Sequence, residues 1–477
     1  MYLLILCCSL GAAVQGWDET AVNGAQLFYT RAFHIDDKPL TIGFVNAAPY
    51  ISSAFVCLLA PFVNSLPVIG GRKRVIRFSL FISALSCLLQ AFPQSWQQLL
   101  GYRLLLGLGI GLKSVTIPIY VAECAPAELR GAFVMTWQLF TALGIFFGYL
   151  LGYILFNKLT VCRIDADGVH LDEPLNCAAE SINWKVMLAL PGALPLIPLA
   201  LTFLLPESPR FLLRKALANT SDDRSHLFKY GQRAIQSLVE LNTTNLQAYR
   251  EAFLIYCSIK EEKQQSQGQG QGQLIHHKYK IMGLWTHERT RRALWASILV
   301  MFLQQACGVN VLAYYSTSVL GDLDPDPSRA VIKDSAFGYS LGFGAINFSV
   351  AFLALFLIDY LGRRLLLLTT FPLLGIFQFV TGKGVGRGSG GPDNTPLTVV
   401  GMYLFCFFYS IGEGPVPFVY AAESMPIYHR DYGMGVATFF NWIFNALLGV
   451  TWPYLSNEIG VSMHSLSTAA CVSVVSS

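Results

Sequence analysis

Charge is what this sequence is short of. Asp, Glu, Lys and Arg make up 13% of its 477 residues, about half of the roughly 25% typical of a soluble domain. A surface wetted on all sides is thereby excluded. The net charge of +4 is not gathered on one helical stripe, which removes the case for nucleic acid. The 11 cysteines form no Cys-x-x-Cys pair and no Cys/His cluster at metal spacing, so neither a metal nor a cofactor is expected. No nucleophile–base set is recognisable, so an enzyme is not expected either. The Gly-x-Gly-x-Gly run at 107–111 follows no strand and is not a nucleotide fingerprint. No secretory signal with a cleavage site is evident, and the first apolar run reads as a membrane helix.

Apolar residues, by contrast, reach 53%, and aromatics 13%. A helix crossing about 30 Å of hydrocarbon needs roughly 20 such residues. Eleven stretches qualify, at about 2–29, 41–63, 75–92, 97–117, 132–157, 184–205, 293–320, 336–358, 365–382, 396–420 and 433–456. The chain therefore reads as an all-α membrane protein with three parts: a six-helix bundle at 1–205, a polar central loop at 206–292 and a second helix bundle at 293–477. The central loop holds the low-complexity tract QQSQGQGQGQ at 264–273, which cannot build a packed core. A twelfth helix would equalise the halves, but 457–477 is Ser-rich and weakly apolar, so that helix is expected to be missing or degenerate. The clusters Arg72-Lys73-Arg74 and Arg363-Arg364 fall on the side of the central loop, which makes that side cytoplasmic by the positive-inside rule. Cys162 and Cys177 then flank a polar loop on the opposite side, where a disulfide is permitted.

An internal repeat joins the halves. PIYVAECAPAELR at 118–130 echoes PFVYAAESMPIYHR at 417–430, with Tyr120/Tyr420, Glu123/Glu423, Pro126/Pro426 and Arg130/Arg430 all 300 residues apart. Gly71-Arg72-Lys73 answers to Gly362-Arg363-Arg364, each after the second helix of its half. Halves repeating in the same direction, with a site between them near the midplane, are an established transporter architecture.

These residues resemble the sugar porter family of the major facilitator superfamily. The resemblance runs from Gly16 to about Leu455 and rests on motifs in combination. They are Gly71-Arg72-Lys73, Tyr102-Arg103 with Gly107, Gly109 and Gly111, Pro118-x-Tyr120-x-x-Glu123, Pro206-Glu-Ser-Pro-Arg210, Gln304-Gln305-x-x-Gly308-x-Asn310 and Asp359-x-x-Gly-Arg-Arg364. GWDETAVNGA at 16–25 and GEGPVPF at 412–418 resemble fungal sugar and inositol-type members. Asn64 departs from the acidic residue usual before the Gly-Arg turn, and Ser410 stands where glucose carriers have a carboxylate.

The resemblance implies two six-helix bundles that carry a sugar or polyol by alternating access, coupled to protons, in the plasma membrane. It carries substrate contact over to Gln138, Gln304, Gln305, Asn310, Asn347, Asn441 and Trp442. Amides suit hydroxyls because each offers donors and an acceptor. A break near Gly308 would let Gln305 and Asn310 line one cavity. Tyr314 and Tyr315 suit a gate, and Phe418 suits stacking on a sugar face. Proton coupling is carried over to Asp18 facing Arg103, where desolvation and the cation pull the carboxyl in opposite directions. Glu123, Arg130, Glu207, Arg210, Asp359, Arg363, Arg364, Glu423 and Arg430 fall at cytoplasmic helix ends, where pairs across the halves would latch the outward-open state. Lys113 reads as a snorkelling lysine, and Gly144, Gly148 and Gly152 as a close-packing face. A uniporter on the same fold, a sugar sensor that does not transport and an inactive truncated carrier are the alternatives.

Overall fold

The computed structural model describes residues 1–66, 71–125, 130–159, 183–218, 224–242, 244–266, 281–321, 331–385, 394–426 and 429–458. Among them there are helices and their connections and no strand. Hydrocarbon leaves backbone N–H and C=O groups no partner outside the chain, so apolar segments close their hydrogen bonds internally as helices. The first half contains α1 (Tyr2–Ala32), α2 (Pro39–Ser65), α3 (Arg72–Leu89), α4 (Trp96–Cys124) and α5 (Arg130–Leu159). Its sixth span is split into α6 (Asn183–Ala189), a 3-10 turn (Leu190–Ala193) and α7 (Leu196–Leu201). Three helices of the central segment follow: α8 (Pro209–Ala218), α9 (Arg224–Leu241) and α10 (Asn245–Ser266). The second half has α11 (Glu288–Ala306), α12 (Val309–Gly321), α13 (Val331–Leu361), α14 (Arg363–Gly384), α15 (Thr395–Ile411), α16 (Val416–Ser424) and α17 (Arg430–Glu458).

Each of the eleven expected stretches coincides with helix. Nine candidate spans among the described residues are long and apolar enough to cross a membrane. α1 and α3 are not among the nine, since α1 carries Asp18, Glu19 and Arg31, and α3 carries Arg72, Lys73, Arg74 and Arg77. The residues expected to lack a twelfth helix, from 459 onward, lie outside the described residues, as do Cys162 and Cys177. The central segment is more helical than its composition suggests, and the Gln/Gly tract extends α10 as far as Ser266 before the described residues stop.

Within the first half α1 packs chiefly on α5, and α4 on α2 and α3. The halves meet along two main seams, α2 against α17 and α5 against α13, with α1 also touching α12. Missing side chains allow these close approaches. A Cβ on Gly144 would lie 2.1 Å from the Ala13 carbonyl oxygen, and one on Gly148 would lie 1.8 Å from Thr20 Oγ1. Gly152 differs, because its Cβ would meet Phe337 only at an ordinary 3.6 Å.

The sequence repeat has a geometric counterpart. Gly71 and Gly362 both hold positive φ (117° and 79°) as they turn the chain into α3 and α14. The arginine after each glycine then pairs with the repeated glutamate of its own half, Arg72 with Glu123 and Arg363 with Glu423.

Candidate functional site

Between the halves lies a polar cavity. It is lined by Gln15, Glu19, Gln138, Thr141 and Ile145 from α1 and α5. The second half supplies Gln304, Gln305, Val309, Asn310, Ala313, Phe343, Asn347, Tyr409, Phe418, Asn441, Trp442 and Asn445. Its volume is about 50 Å³, counted as space open to the centre of a water molecule. That holds roughly three to five waters at about 10–15 Å³ each.

Local backbone breaks converge the amides. Gly308 adopts φ +81° between α11 and α12, a conformation that side-chain-bearing residues rarely take. The break turns Asn310 onto the face that holds Gln305, and Asn310 Nδ2 donates to Gln305 Oε1 at 2.5 Å. A second break, Gly412–Pro415 between α15 and α16, presents backbone carbonyls. Gln304 Nε2 donates to the carbonyls of Glu413 (2.8 Å) and Gly414 (3.1 Å), while Gln304 Oε1 accepts from Asn441 Nδ2 (2.8 Å). Gln304 is thus fully engaged as a brace. Asn347 Oδ1 accepts from Ser410 Oγ at 3.0 Å. Gln138 faces this break from the other half, its amide nitrogen 3.4 Å from where a Cβ on Gly414 would sit.

Aromatic rings cross the seam beside the amides. Tyr50 of α2 stacks on Tyr314 at 5.5 Å and on Trp442 at 5.3 Å. Trp442 Nε1 donates to Ser114 Oγ of the first half at 3.3 Å. Tyr314 does not line the cavity, because its ring lies against Tyr50 and its hydroxyl is turned to Asn445 Oδ1 at 2.8 Å. Tyr315 donates to the Gly449 carbonyl (2.9 Å) and accepts from Asn46 Nδ2 (3.2 Å), tying α12 to α17 and α2. The remaining predicted contact residues, Gln138, Gln304, Gln305, Asn310, Asn347, Phe418, Asn441 and Trp442, share the cavity wall.

Asp18 and Arg103 do face each other, with Arg103 Nη1 3.7 Å from Asp18 Oδ1 and both side chains buried. The guanidinium is anchored mainly elsewhere. Pro49 has no N–H to offer the Val45 carbonyl, and Arg103 Nε supplies that missing donor at 2.8 Å. Its other nitrogens reach Gln90 Oε1 (3.3 Å) and the Asn46 carbonyl (3.2 Å). Lys113 does not snorkel. It is 0% exposed, and its Nζ has no hydrogen-bond partner among the described residues.

At the end that carries the central segment, Arg72 grips Glu123 with two bonds (3.2 and 3.0 Å), and Nη2 also reaches Asp431 Oδ2 of α17 at 2.8 Å. Ser208 Oγ donates to Glu123 at 2.6 Å. Glu207 accepts from the backbone N–H of Lys73 (3.0 Å) and of Ser208 (3.1 Å). Burial nonetheless raises its carboxyl above the ordinary 4.5. Arg363 and Glu423 pair at 3.1 Å within the second half. Arg210 is half-buried and Arg364 exposed, Arg430 opens α17, and the side chains of Arg130 and Asp359 lie outside the described residues. Among these contacts, the one that crosses the halves runs to Asp431, which the motif reading did not single out. Gln15, Glu19 and Asn445 were missed as well. Glu19, an ionisable residue inside an apolar helix, was visible on that ground alone.

A many-helix membrane protein built around a buried, amide-lined cavity is the class that fold and site define. The model of the family described as "Sugar (and other) transporter" matches residues 4–476, and the chain belongs to that family. Hexose transporter 2 of Kluyveromyces lactis is 27% identical over 486 residues, covering 96% of this chain and 75% of that protein. The galactose transporter of Saccharomyces cerevisiae is 26% identical over 481 residues, covering 96% and 74%. The proton:xylose symporter XylE, bound to 6-bromo-6-deoxy-D-glucose, superposes with a TM-score of 0.77 at 20% identity, covering 100% of this chain and 94% of that one. The E. coli fucose:proton symporter FucP gives a TM-score of 0.57 at 16% identity, covering 100% and 96%. Both structural likenesses concern the fold, which is that of the major facilitator superfamily.

Proposed function

We propose that this protein carries a sugar or polyol across the plasma membrane by proton-coupled symport, the first half and the second rocking about the cavity. One observation carries the reading: amides from both halves line a single hollow, with Trp442 and Phe418 in the same wall. Amides match hydroxyl groups, and aromatic faces suit the apolar face of a sugar ring. Gln138, Gln305, Asn310 and Asn347 retain hydrogen-bonding capacity and make the solute contacts in this reading. Gln304 and Asn441 hold the wall, and Tyr314, stacked on Tyr50 beside the cavity, serves as a gate. The division into 1–205, 206–292 and 293–477 supplies the two moving bodies and their cytoplasmic linker.

Proton coupling is supported by the buried Asp18 in the middle of α1 beside Arg103. An ionisable group inside a bilayer is costly and is a functional hypothesis by default. The names of XylE and FucP, both proton symporters, support the same choice. The end bearing Arg72, Glu123, Glu207, Arg210, Arg363, Glu423 and Arg430 acts as the cytoplasmic gate. The test is uptake of labelled sugars and polyols into proteoliposomes with and without an inward proton gradient. Accumulation against a solute gradient only when protons flow inward supports symport. Equilibration insensitive to the proton gradient establishes the uniporter.

A further inference from the structure

We infer that Glu19 is a specificity-determining contact of the solute site, and that with Gln15 and Asn445 it favours sugars or polyols bearing a basic amine and turns away sugar acids. The inference rests on the carrier reading above and names the solute class of the same cavity. Its basis is the charge of the cavity wall and the hydrogen-bonding capacity left open on it.

The wall has one carboxyl and no cation. Glu19 lines the cavity, and among the described residues no Lys, Arg or His does. The buried cations Arg103 and Lys113 are both on α4, which contributes no residue to the wall. Arg103 is held by the Val45 and Asn46 carbonyls and by Gln90, with Asp18 at 3.7 Å. The titratable side chains within electrostatic reach of Glu19 are Asp18 of its own helix, Tyr50 of α2, Tyr149 of α5, Tyr314 of α12 and Tyr409 of α15. None of them brings positive charge. A charge taken out of water needs an opposite charge and hydrogen bonds. A carboxylate or phosphate on the solute finds no such partner in this wall, whichever form Glu19 takes. An ammonium on the solute supplies the opposite charge that the wall lacks.

Unused polar atoms lie on the same wall. Gln15 Nε2 donates to Glu19 Oε1 at 3.4 Å, which leaves Gln15 Oε1 without a hydrogen-bond partner among the described residues. Asn445 Oδ1 of α17 accepts from the Tyr314 hydroxyl, and Asn445 Nδ2 has no partner among the described residues. Both side chains line the cavity and are buried, at 5% and 0% exposure. Buried polar atoms are normally satisfied, so an open acceptor and an open donor on one cavity wall call for a ligand. Gln304 and Asn441, by contrast, are spent on each other and on backbone carbonyls. An ammonium has three N–H donors and no acceptor. It donates to the Glu19 carboxylate and to Gln15 Oε1, and a hydroxyl oxygen of the same solute accepts from Asn445 Nδ2. Replacing a hydroxyl by an amine barely alters the size of a sugar, so charge and not fit separates the two in this cavity.

The test is counterflow by full-length protein in proteoliposomes at about pH 6, where aliphatic amines are protonated. Labelled D-glucose, D-galactose, D-xylose, myo-inositol and D-glucosamine are the probes. Each probe that is exchanged is challenged with unlabelled D-glucose, D-glucosamine, 6-amino-6-deoxy-D-glucose and D-glucuronate. A charge-assisted hydrogen bond is about twice as strong as a neutral one, so in wild type at least one amino sugar should compete about tenfold better than D-glucose. D-glucuronate should not compete. In Glu19→Gln, which keeps the shape and removes the charge, the ratio of amino sugar to D-glucose should fall to about one. Glu19→Asp, which keeps the charge, should retain the advantage. Amino sugars that compete no better than D-glucose in wild type, D-glucuronate that competes as well as D-glucose, or an advantage that persists in Glu19→Gln or is lost in Glu19→Asp, each overturns the inference and leaves the carrier standing. Exchange of none of the labelled probes by folded wild type overturns the carrier reading itself.

Discussion

Asp431→Asn should unlatch the end of the protein that bears the central segment. Arg72 makes three bonds there, but the two to Glu123 stay within the first half and travel with it. Arg363–Glu423 likewise stays within the second half. The 2.8 Å contact from Arg72 Nη2 to Asp431 is the one of these that must break when the halves part. A hydrogen bond to a charged group is worth about 1.5–3 kcal/mol. Asp431 is 21% exposed against 5% for Arg72, so water shares the contact and the lower end applies. About 1.5 kcal/mol corresponds to roughly a tenfold shift toward the state open at that end. Spin labels at Leu66 and Tyr360, exposed residues at the ends of α2 and α13, would report the change as growth of the longer distance population. Glu423→Gln serves as the comparison and should shift the distribution far less. An unchanged distribution in Asp431→Asn, or an equal shift in Glu423→Gln, refutes the reasoning.

Two further outcomes are expected. Gly308→Ala places a side chain at φ +81°, which costs about 1–2 kcal/mol. It should lower the melting temperature in detergent and weaken solute binding, since Asn310 depends on that turn. Glu207→Gln should change the pH dependence of stability. Burial raises the wild-type carboxyl above 4.5, so its favourable contribution is present below that value and is lost as pH rises through the folded-state range. Melting curves across pH should therefore show wild type losing stability relative to Glu207→Gln on the alkaline side, and parallel curves would refute this.

The helices were legible in the sequence because a bilayer leaves apolar segments one regular option. Their interruptions were legible only where a glycine sat between amides that had to face one way, as at Gly308. The split at Leu190–Ala193 and the break after Ile411 had no such partner residues to announce them. Among the site residues, the amides stood out as polar groups in apolar runs, and all of those named share the cavity. Tyr314 reads as a gate on its position alone, and in the structure its ring stacks on Tyr50 beside the cavity. Asp431 was invisible because the 300-residue repeat stops at Arg430, and the position matching Asp431 is Gly131. Lys113 read as a snorkelling side chain because helix rise measures depth along an axis. Which face of α4 is buried is decided by packing against α2 and α3.

The most direct measurement is counterflow of labelled sugars and polyols in proteoliposomes, wild type against Gln138→Ala combined with Gln305→Ala. These amides come from opposite halves and line one cavity. The account predicts that wild type exchanges at least one of these solutes and that the double variant loses exchange while remaining folded. A double variant that exchanges as well as wild type, or a folded wild type that moves none of them, contradicts it.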